Sequence, residues 1–257
     1  MSKSVRVIEV KGRRIGGDRL QICVPLVAKT EAELLKEASS IAALKPDLVE
    51  WRVDFLEVVE SIPDVLDILL QLRNRLLEYP IIFTCRTHLE GGYRSIDENI
   101  RLQLIKKAIK SGRIDMVDIE LISGEKVIQD IIDTARLNHV YVILSNHDFQ
   151  KTPPINTMVE RLKKAQDLGA DIAKIAVMPN SMEDVLNLLY ATNSMKEQYA
   201  HIPIITMAMS GKGLITRIGG GIFGSAVTFG AGKAASAPGQ IAKEELETAI
   251  EILYKNL

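Results

Sequence analysis

The feature that most constrains this chain is a recurrence. Eight short apolar segments punctuate its 257 residues: ICVPLV from Ile22, LVEWRVDF from Leu48, IIFTCRT from Ile81, MVDIEL from Met116, VYVILSNHD from Val140, IAKIAVMP from Ile172, IITMAM from Ile204 and AVTFG from Ala226. Their starts are separated by 26, 33, 35, 24, 32, 32 and 22 residues. Each interval has room for one strand, one helix and two short loops, the spacing of a βαβ unit. Ile, Leu, Val and Ala dominate these segments while aromatics are only 5% of the chain, the composition of strands buried on both faces. The intervals repeat apolar residues at helical spacing. Thr30-x-x-Glu33 has the form of a capping box, and Pro80 stops a helix predicted over Asp64 to Leu77. Further helices are expected over 97–109, 127–137, 158–168, 185–195 and 241–253. Eight such alternations predict a (β/α)8 barrel. The rival is an open doubly wound sheet, but no GxGxxG follows the first strand. Residues 4–20 predict a short N-terminal β-hairpin, with Gly16-Gly17 in its turn, that plugs the barrel bottom. No linker or composition break divides the chain, so residues 1–257 are expected to form a single barrel domain.

Composition removes several classes of function. Lys and Arg number 32 against 33 Asp and Glu, which argues against a nucleic-acid partner or an anionic membrane surface. Two cysteines make no disulfide framework and lack metal-ligand spacing. No apolar run approaches the ~18 residues of a membrane span. MSKSVRVIEV lacks the apolar core of a signal peptide, so a cytoplasmic location is expected.

Barrel enzymes carry their chemistry at the C-terminal ends of the strands. Polar residues interrupt the apolar segments there. In Glu50-Trp51-Arg52-Val53-Asp54, period two sends the charged residues to one face, as a structural ion pair or as a grip on substrate hydroxyls. Arg86 ends the third strand, and Glu90 follows in a loop with Gly91-Gly92. His147 ends the fifth, where a group of near-neutral pKa suits acid–base work. Lys174 sits in the middle of the sixth. A buried ammonium is costly unless paired or neutralised, so Lys174 is either a snorkelling side chain or an amine that attacks a carbonyl. Arg52 and Arg86 are the cations expected to favour its neutral form. Met207 and Met209 fill or line the lumen. Residues 210–240 hold 9 of the 17 glycines and read as a loop or lid, with Arg217 as a fork for a carboxylate and Pro238 and Gln240 near its hinge.

Assembled in order, these marks resemble type I 3-dehydroquinate dehydratases over nearly the whole chain, from about Ile22 to the C-terminus. They are Glu50-Trp51-Arg52, Arg86 with Glu90-Gly91-Gly92, Ser145 to Phe149, Lys174-Ile175-Ala176, Ile204-Thr206-Met207 with Ser210-Gly211, Phe223-Gly224-Ser225, and Ser236 to Gln240. The resemblance implies an imine between Lys174 and the C3 ketone of 3-dehydroquinate. It implies His147 as acid and base, oriented by Glu90. Arg217 would bind the carboxylate, and Glu50 and Arg86 the ring hydroxyls. Arg52 would support the site electrostatically, Met207 and Phe229 would contact the substrate, and Ser236 and Gln240 would close a lid. It also implies a homodimer and no metal or other cofactor. Tyr93 and Gly221 depart from the pattern; an acidic residue is expected at 221. A class I aldolase gripping phosphate near the eighth strand, and a barrel acting only as a binding module, are the alternatives.

Overall fold

Every one of the eight apolar segments forms a strand in the computed structural model, which describes residues 5–232 and 235–256. An antiparallel hairpin of β1 (Ile8–Val10) and β2 (Arg13–Ile15) comes first. The barrel strands follow as β3 (Gln21–Leu26), β4 (Leu48–Arg52), β5 (Ile81–Thr84), β6 (Met116–Glu120), β7 (Tyr141–Asp148), β8 (Ile172–Val177), β9 (Ile204–Ala208) and β10 (Val227–Phe229). They pair in parallel in the order β10-β3-β4-β5-β6-β7-β8-β9. Between β9 and β10 the barrel closes through an Ile204–Ser225 bridge, with Ala226 N–H donating to Ile204 O at 2.8 Å.

Helices α1 (Glu31–Ala43), α2 (Ile62–Arg75), α3 (Glu98–Lys110), α4 (Glu125–Leu137), α5 (Ile155–Asp167), α6 (Met182–Ser194), α7 (Leu214–Phe223) and α8 (Lys243–Tyr254) cover the strands. Their starts have local causes. Thr30 accepts the Glu33 N–H, Asp97 accepts those of Asn99 and Ile100, and Ser181 with Asp184 forms a capping box.

Strand alternation divides the core in two. Val24, Val49, Trp51, Phe83, Val117 and Ile175 face the helices, with Trp51 packed edge-on to Phe83. Leu48, Ile82, Met116, Ile143, Ile172 and Ile205 point inward, and Ile8 and Ile15 of the hairpin pack against them. The hairpin therefore seals one end of the lumen. Each of these fully buried side chains contributes about 1.5–3 kcal/mol through removal from water.

Two expectations are corrected. The hairpin turns at Lys11-Gly12, both at positive φ, and not at Gly16-Gly17; Gly16 follows β2 and lies against Pro203. Ser4, the expected start of the hairpin, lies outside the described residues. The glycine-rich stretch 210–240 is also not one loop. It contains α7 and β10, and only the segment from Ala231 to α8 connects them onward. Glycine is a poor helix former, so the composition pointed away from a helix. Tertiary contact overrides that propensity. A Cβ at Gly213 would overlap the Ala208 carbonyl, and one at Gly221 would overlap the Tyr254 hydroxyl and press on Leu20.

An acidic residue at Gly221 would have to displace the Tyr254 hydroxyl and press on Leu20. Gly221→Asp should lower stability by about 1–3 kcal/mol, the usual cost of overpacking. Adding Tyr254→Phe should restore part of it. Paired denaturant titrations measure both.

Candidate active site

Period two in the barrel places polar residues directly above the apolar inner layer. Glu50 and Arg52 of β4, Asp118 and Glu120 of β6 and Lys174 of β8 alternate with helix-facing apolar neighbours, and Ser145 and His147 of β7 follow helix-facing Leu144 at the same period. These side chains gather at the C-terminal end of the barrel. A small pocket there, with about 40 Å³ of free space, is lined by Glu50, Arg52, Arg86, Glu90, His147, Lys174, Met207, Phe229, Ser236 and Gln240, among others. Of the predicted site residues, only Arg217 is absent from that lining. A larger hollow of about 450 Å³ at the hairpin end is bordered by the exposed Asp18, Arg19 and Lys196. It has no comparable convergence of buried charges.

Lys174 is 5% exposed, so snorkelling to solvent is excluded. Its ammonium donates to Asp118 Oδ2 at 3.0 Å and lies 3.7 Å from Glu50 Oε1, with the Phe229 ring centroid 4.7 Å away. Glu50 in turn accepts from the Thr84 hydroxyl at 2.9 Å. Asp118 also accepts from Ser145 Oγ at 2.6 Å and takes both terminal nitrogens of Arg86, at 2.9 and 3.0 Å. Burial opposes its ionisation, but Arg86 and Lys174 outweigh that and hold the carboxyl well below the usual range.

Two expected roles change. Arg86 and Arg52 are not free cations. Arg86 pairs with Asp118 and Glu120, and Arg52 forks onto Asp54 at 2.9 and 2.8 Å. The site is nearly charge-balanced and not strongly cationic. Asp54 leaves the strand on a short turn, Val53–Phe55, and also accepts the Arg86 and Tyr93 backbone N–H groups. Tyr93 stacks on Phe55 outside the pocket, which explains why its departure from the pattern leaves the site intact.

His147 is paired with Glu90. Its Nδ1 lies 2.9 Å from Glu90 Oε2, and its backbone N–H donates to the same oxygen at 2.7 Å. Asn146 Nδ2 donates to Glu90 Oε1 at 3.0 Å. With Nδ1–H directed at Glu90, the Nε2 lone pair is the free base. The loop can deliver Glu90 because Gly91 sits at φ +84° against Phe149 and Gly92 presses on the Arg86 carbonyl, where side chains do not fit. Burial pushes Glu90 up to about 7. Burial, then Arg86 and Lys174, hold His147 well below its ordinary value, so it is neutral at pH 7.

Arg217, on α7, is fully buried. It donates to the carbonyls of Phe229 at 3.3 Å and Pro238 at 3.1 Å and contacts Met207 Sδ at 3.7 Å, and its Nε has no partner. No carboxylate pairs with it among the described residues, and burial lowers its pKa to about 10. It remains a cation at pH 7, one layer behind the pocket wall. The segment above it is self-bonded: Ser236 N–H donates to Gln240 Oε1 at 2.8 Å, and Gln240 Nε2 to Ser236 Oγ at 3.1 Å.

Sequence reasoning missed Asp118, Glu120 and Arg101. The first two carried a usable signal, charged residues at alternate positions of the apolar run MVDIE, the same anomaly that marks Lys174. Arg101 looks like an ordinary helix-surface charge until the fold buries it. Among the described residues no group of three or more His, Cys, Asp or Glu is arranged to hold a metal ion.

A model of the family described as type I 3-dehydroquinase matches residues 22–257. The chain is 48% identical over 252 residues to the 3-dehydroquinate dehydratase of Bacillus subtilis (strain 168), spanning 98% of this chain and 99% of that one. A crystal structure of the type I 3-dehydroquinate dehydratase of Clostridium difficile, with covalent modified comenic acid, superposes with a TM-score of 0.95 at 46% identity, covering 99% of this chain and 100% of that one. The 3-dehydroquinate dehydratase of Geobacillus kaustophilus HTA426 gives 0.95 at 42% identity, with 99% of each chain covered.

An unpaired buried guanidinium costs stability until an anion arrives. Small carboxylates should therefore raise the melting temperature, and Arg217→Met should abolish that rise. Thermal shift with and without carboxylate reads both.

Proposed function

Since the chain belongs to the type I 3-dehydroquinase family, we infer that it is a hydro-lyase converting 3-dehydroquinate to 3-dehydroshikimate and water. The observation that carries the mechanism is Lys174, a buried amine next to a neutral histidine whose other nitrogen is held by a carboxylate.

The proposed course uses these groups in turn. Lys174 passes its proton to His147, the neutral base of the pocket, the free amine attacks the C3 ketone, and His147 returns the proton to the carbinolamine hydroxyl. Water leaves, and a protonated imine forms. That imine draws electron density from the adjacent C2–H bond. His147 Nε2 takes the C2 proton, giving an enamine, and Glu90 stabilises the imidazolium through Nδ1–H. The enamine expels the C1 hydroxyl, which departs as water with the proton carried by His147. Water then hydrolyses the imine and frees Lys174. One water is released at imine formation, one is consumed at hydrolysis, and one is the product. Arg217 is proposed to bind the carboxylate, and Glu50 and Arg86 to hold hydroxyls through bonding capacity left beside their protein partners. Arg52 supplies electrostatic support. Met207 and Phe229 form the apolar wall, and Ser236 and Gln240 the lid. The free space holds only a few waters at roughly 10–15 Å³ each, so the lid moves to admit a six-membered ring.

An aldolase reading is not favoured. It needs backbone N–H groups free for phosphate after β10. Those of Gly230 and Ala231 instead donate to Cys23 O at 3.0 Å and Ile241 O at 2.7 Å.

We also propose that the whole chain acts as one catalytic domain, in the cytoplasm, as a homodimer. No helix among the described residues is long and apolar enough to cross a membrane, and both cysteines are free and buried. The dimer reading rests on α6. It carries no charge from Val185 to Met195, and Met182, Leu186 and Tyr190 leave 58%, 64% and 63% of their surface exposed at helical spacing. Ile215 continues the patch at the start of α7, where Lys212 Nζ reaches Asn180 O at 2.8 Å. A two-fold dimer uses the same patch on both subunits, and an uncharged patch brings no like charges together there.

Borohydride added with 3-dehydroquinate should fix an adduct on Lys174, located by mass spectrometry; its absence overturns the imine. His147→Ala should still form the adduct while turnover falls ~10²–10⁴-fold. Turnover should rise with pH through about 7, where Glu90 ionises and can support the imidazolium; Glu90→Gln should flatten that limb. Sedimentation should show a dimer that Leu186→Glu with Tyr190→Glu dissociates.

A further inference from the structure

Lys174 is the inner end of a line of alternating charges that runs through the barrel wall. Asp118 holds Lys174 at 3.0 Å and both arms of Arg86 at 2.9 and 3.0 Å. Arg86 Nη1 also donates to Glu120 Oε1 at 2.9 Å. The other oxygen, Oε2, takes Arg101 Nη1 of α3 at 2.9 Å. Arg101 then forks onto Glu98 at 2.8 and 2.9 Å. Three cations and three anions cancel along this line, and all are buried except Glu98, whose side chain is 55% exposed. Neither Glu120 nor Arg101 lines the pocket.

The weak point of the line is Arg86 Nη1, which serves Asp118 and Glu120 together. Arg101 occupies the second oxygen of Glu120 and so limits how strongly Glu120 draws Arg86 away. With Arg86 forked on both oxygens of Asp118, less of that carboxylate's charge is left to retain the Lys174 proton. The amine must shed that proton before it can attack a carbonyl. Charges in a buried site are poorly screened, so a change at Arg101, three charges removed, still reaches Lys174.

We propose that Arg101 and Glu120 are positioning residues that set, through Arg86 and Asp118, the pH at which Lys174 forms its imine. This rests on the reading of Lys174 as the imine-forming amine. The other titratable or charged groups around Lys174 are Glu50 of β4, Cys23 of β3 and His147 of β7, and those around Arg101 are Glu98, Glu120 and Cys85. Replacing Arg101 alone leaves all of these residues in place but removes a partner from Glu98, Glu120 and the Cys85 carbonyl.

The test is the pH dependence of borohydride-trapped adduct on Lys174 with 3-dehydroquinate, which reads imine formation apart from proton transfer. Arg101→Met should move the acid limb upward by about one pH unit, roughly tenfold less adduct on that limb, with the alkaline plateau unchanged. Arg101→Lys should stay near the parent limb. Glu120→Gln should move it downward. The pair Arg101→Met with Glu120→Gln restores electrical balance and should return the limb to the parent position, which also covers the case in which Arg101→Met alone fails to fold. Unmoved limbs with uniformly lower plateaus, or single variants shifting in the same direction, overturn the proposal. Absence of adduct in the parent protein at every pH overturns the imine reading instead.

Discussion

The arrangement depends on the pairing of Lys174 with Asp118 inside the barrel. An ammonium in a low-dielectric interior is tolerated only beside a counter-charge, and a lone carboxylate there is as costly. Asp118 satisfies Lys174 and Arg86 at once, which obliges Arg86 to find Glu120 and Glu120 to find Arg101. One buried amine is therefore tied to side chains on three further elements. Removing either partner of the central pair leaves a buried charge, so this cluster is demanding of its sequence.

The lumen is organised in depth. Its lower half is aliphatic and sealed by Ile8 and Ile15, and its upper half is ionic. The rigid lower half gives the strand ends fixed positions, and the ionic half uses them. Arg217 stands apart from the balanced line. It has carbonyl partners but no carboxylate, so the fold leaves one positive charge uncompensated next to the lid. That excess matches an anionic substrate better than the overall charge of −1, which averages the site with the surface, would suggest.

Much of the architecture was legible because strand and helix periods are local. Segment spacing gave the barrel, and a lysine or histidine interrupting an aliphatic run stood out. Legibility failed where contact overrode propensity. Gly219-Gly220-Gly221 reads as loop, yet it lies in α7, where Gly221 packs closely against Tyr254 and Leu20. Gly16-Gly17 reads as the hairpin turn, yet Lys11-Gly12 supplies the positive φ values that the tight connection needs. Asp118 and Glu120 were readable by the same argument as Lys174. Arg101 was not, since a helix arginine is usually solvated and its neighbours come from distant strands.

The sequence by itself determined the eight βα units and the family pattern, and it singled out a lysine and a histidine interrupting aliphatic strands, because each is a matter of residue type at short range. Only the tertiary structure decided who neutralises whom. It paired Arg86 with Asp118 and Glu120, left Arg217 without a carboxylate, and tied Lys174 to Glu98 through four intervening charges. Partners in a barrel come from strands more than thirty residues apart, and Coulomb energy depends on distance in space rather than on separation along the chain.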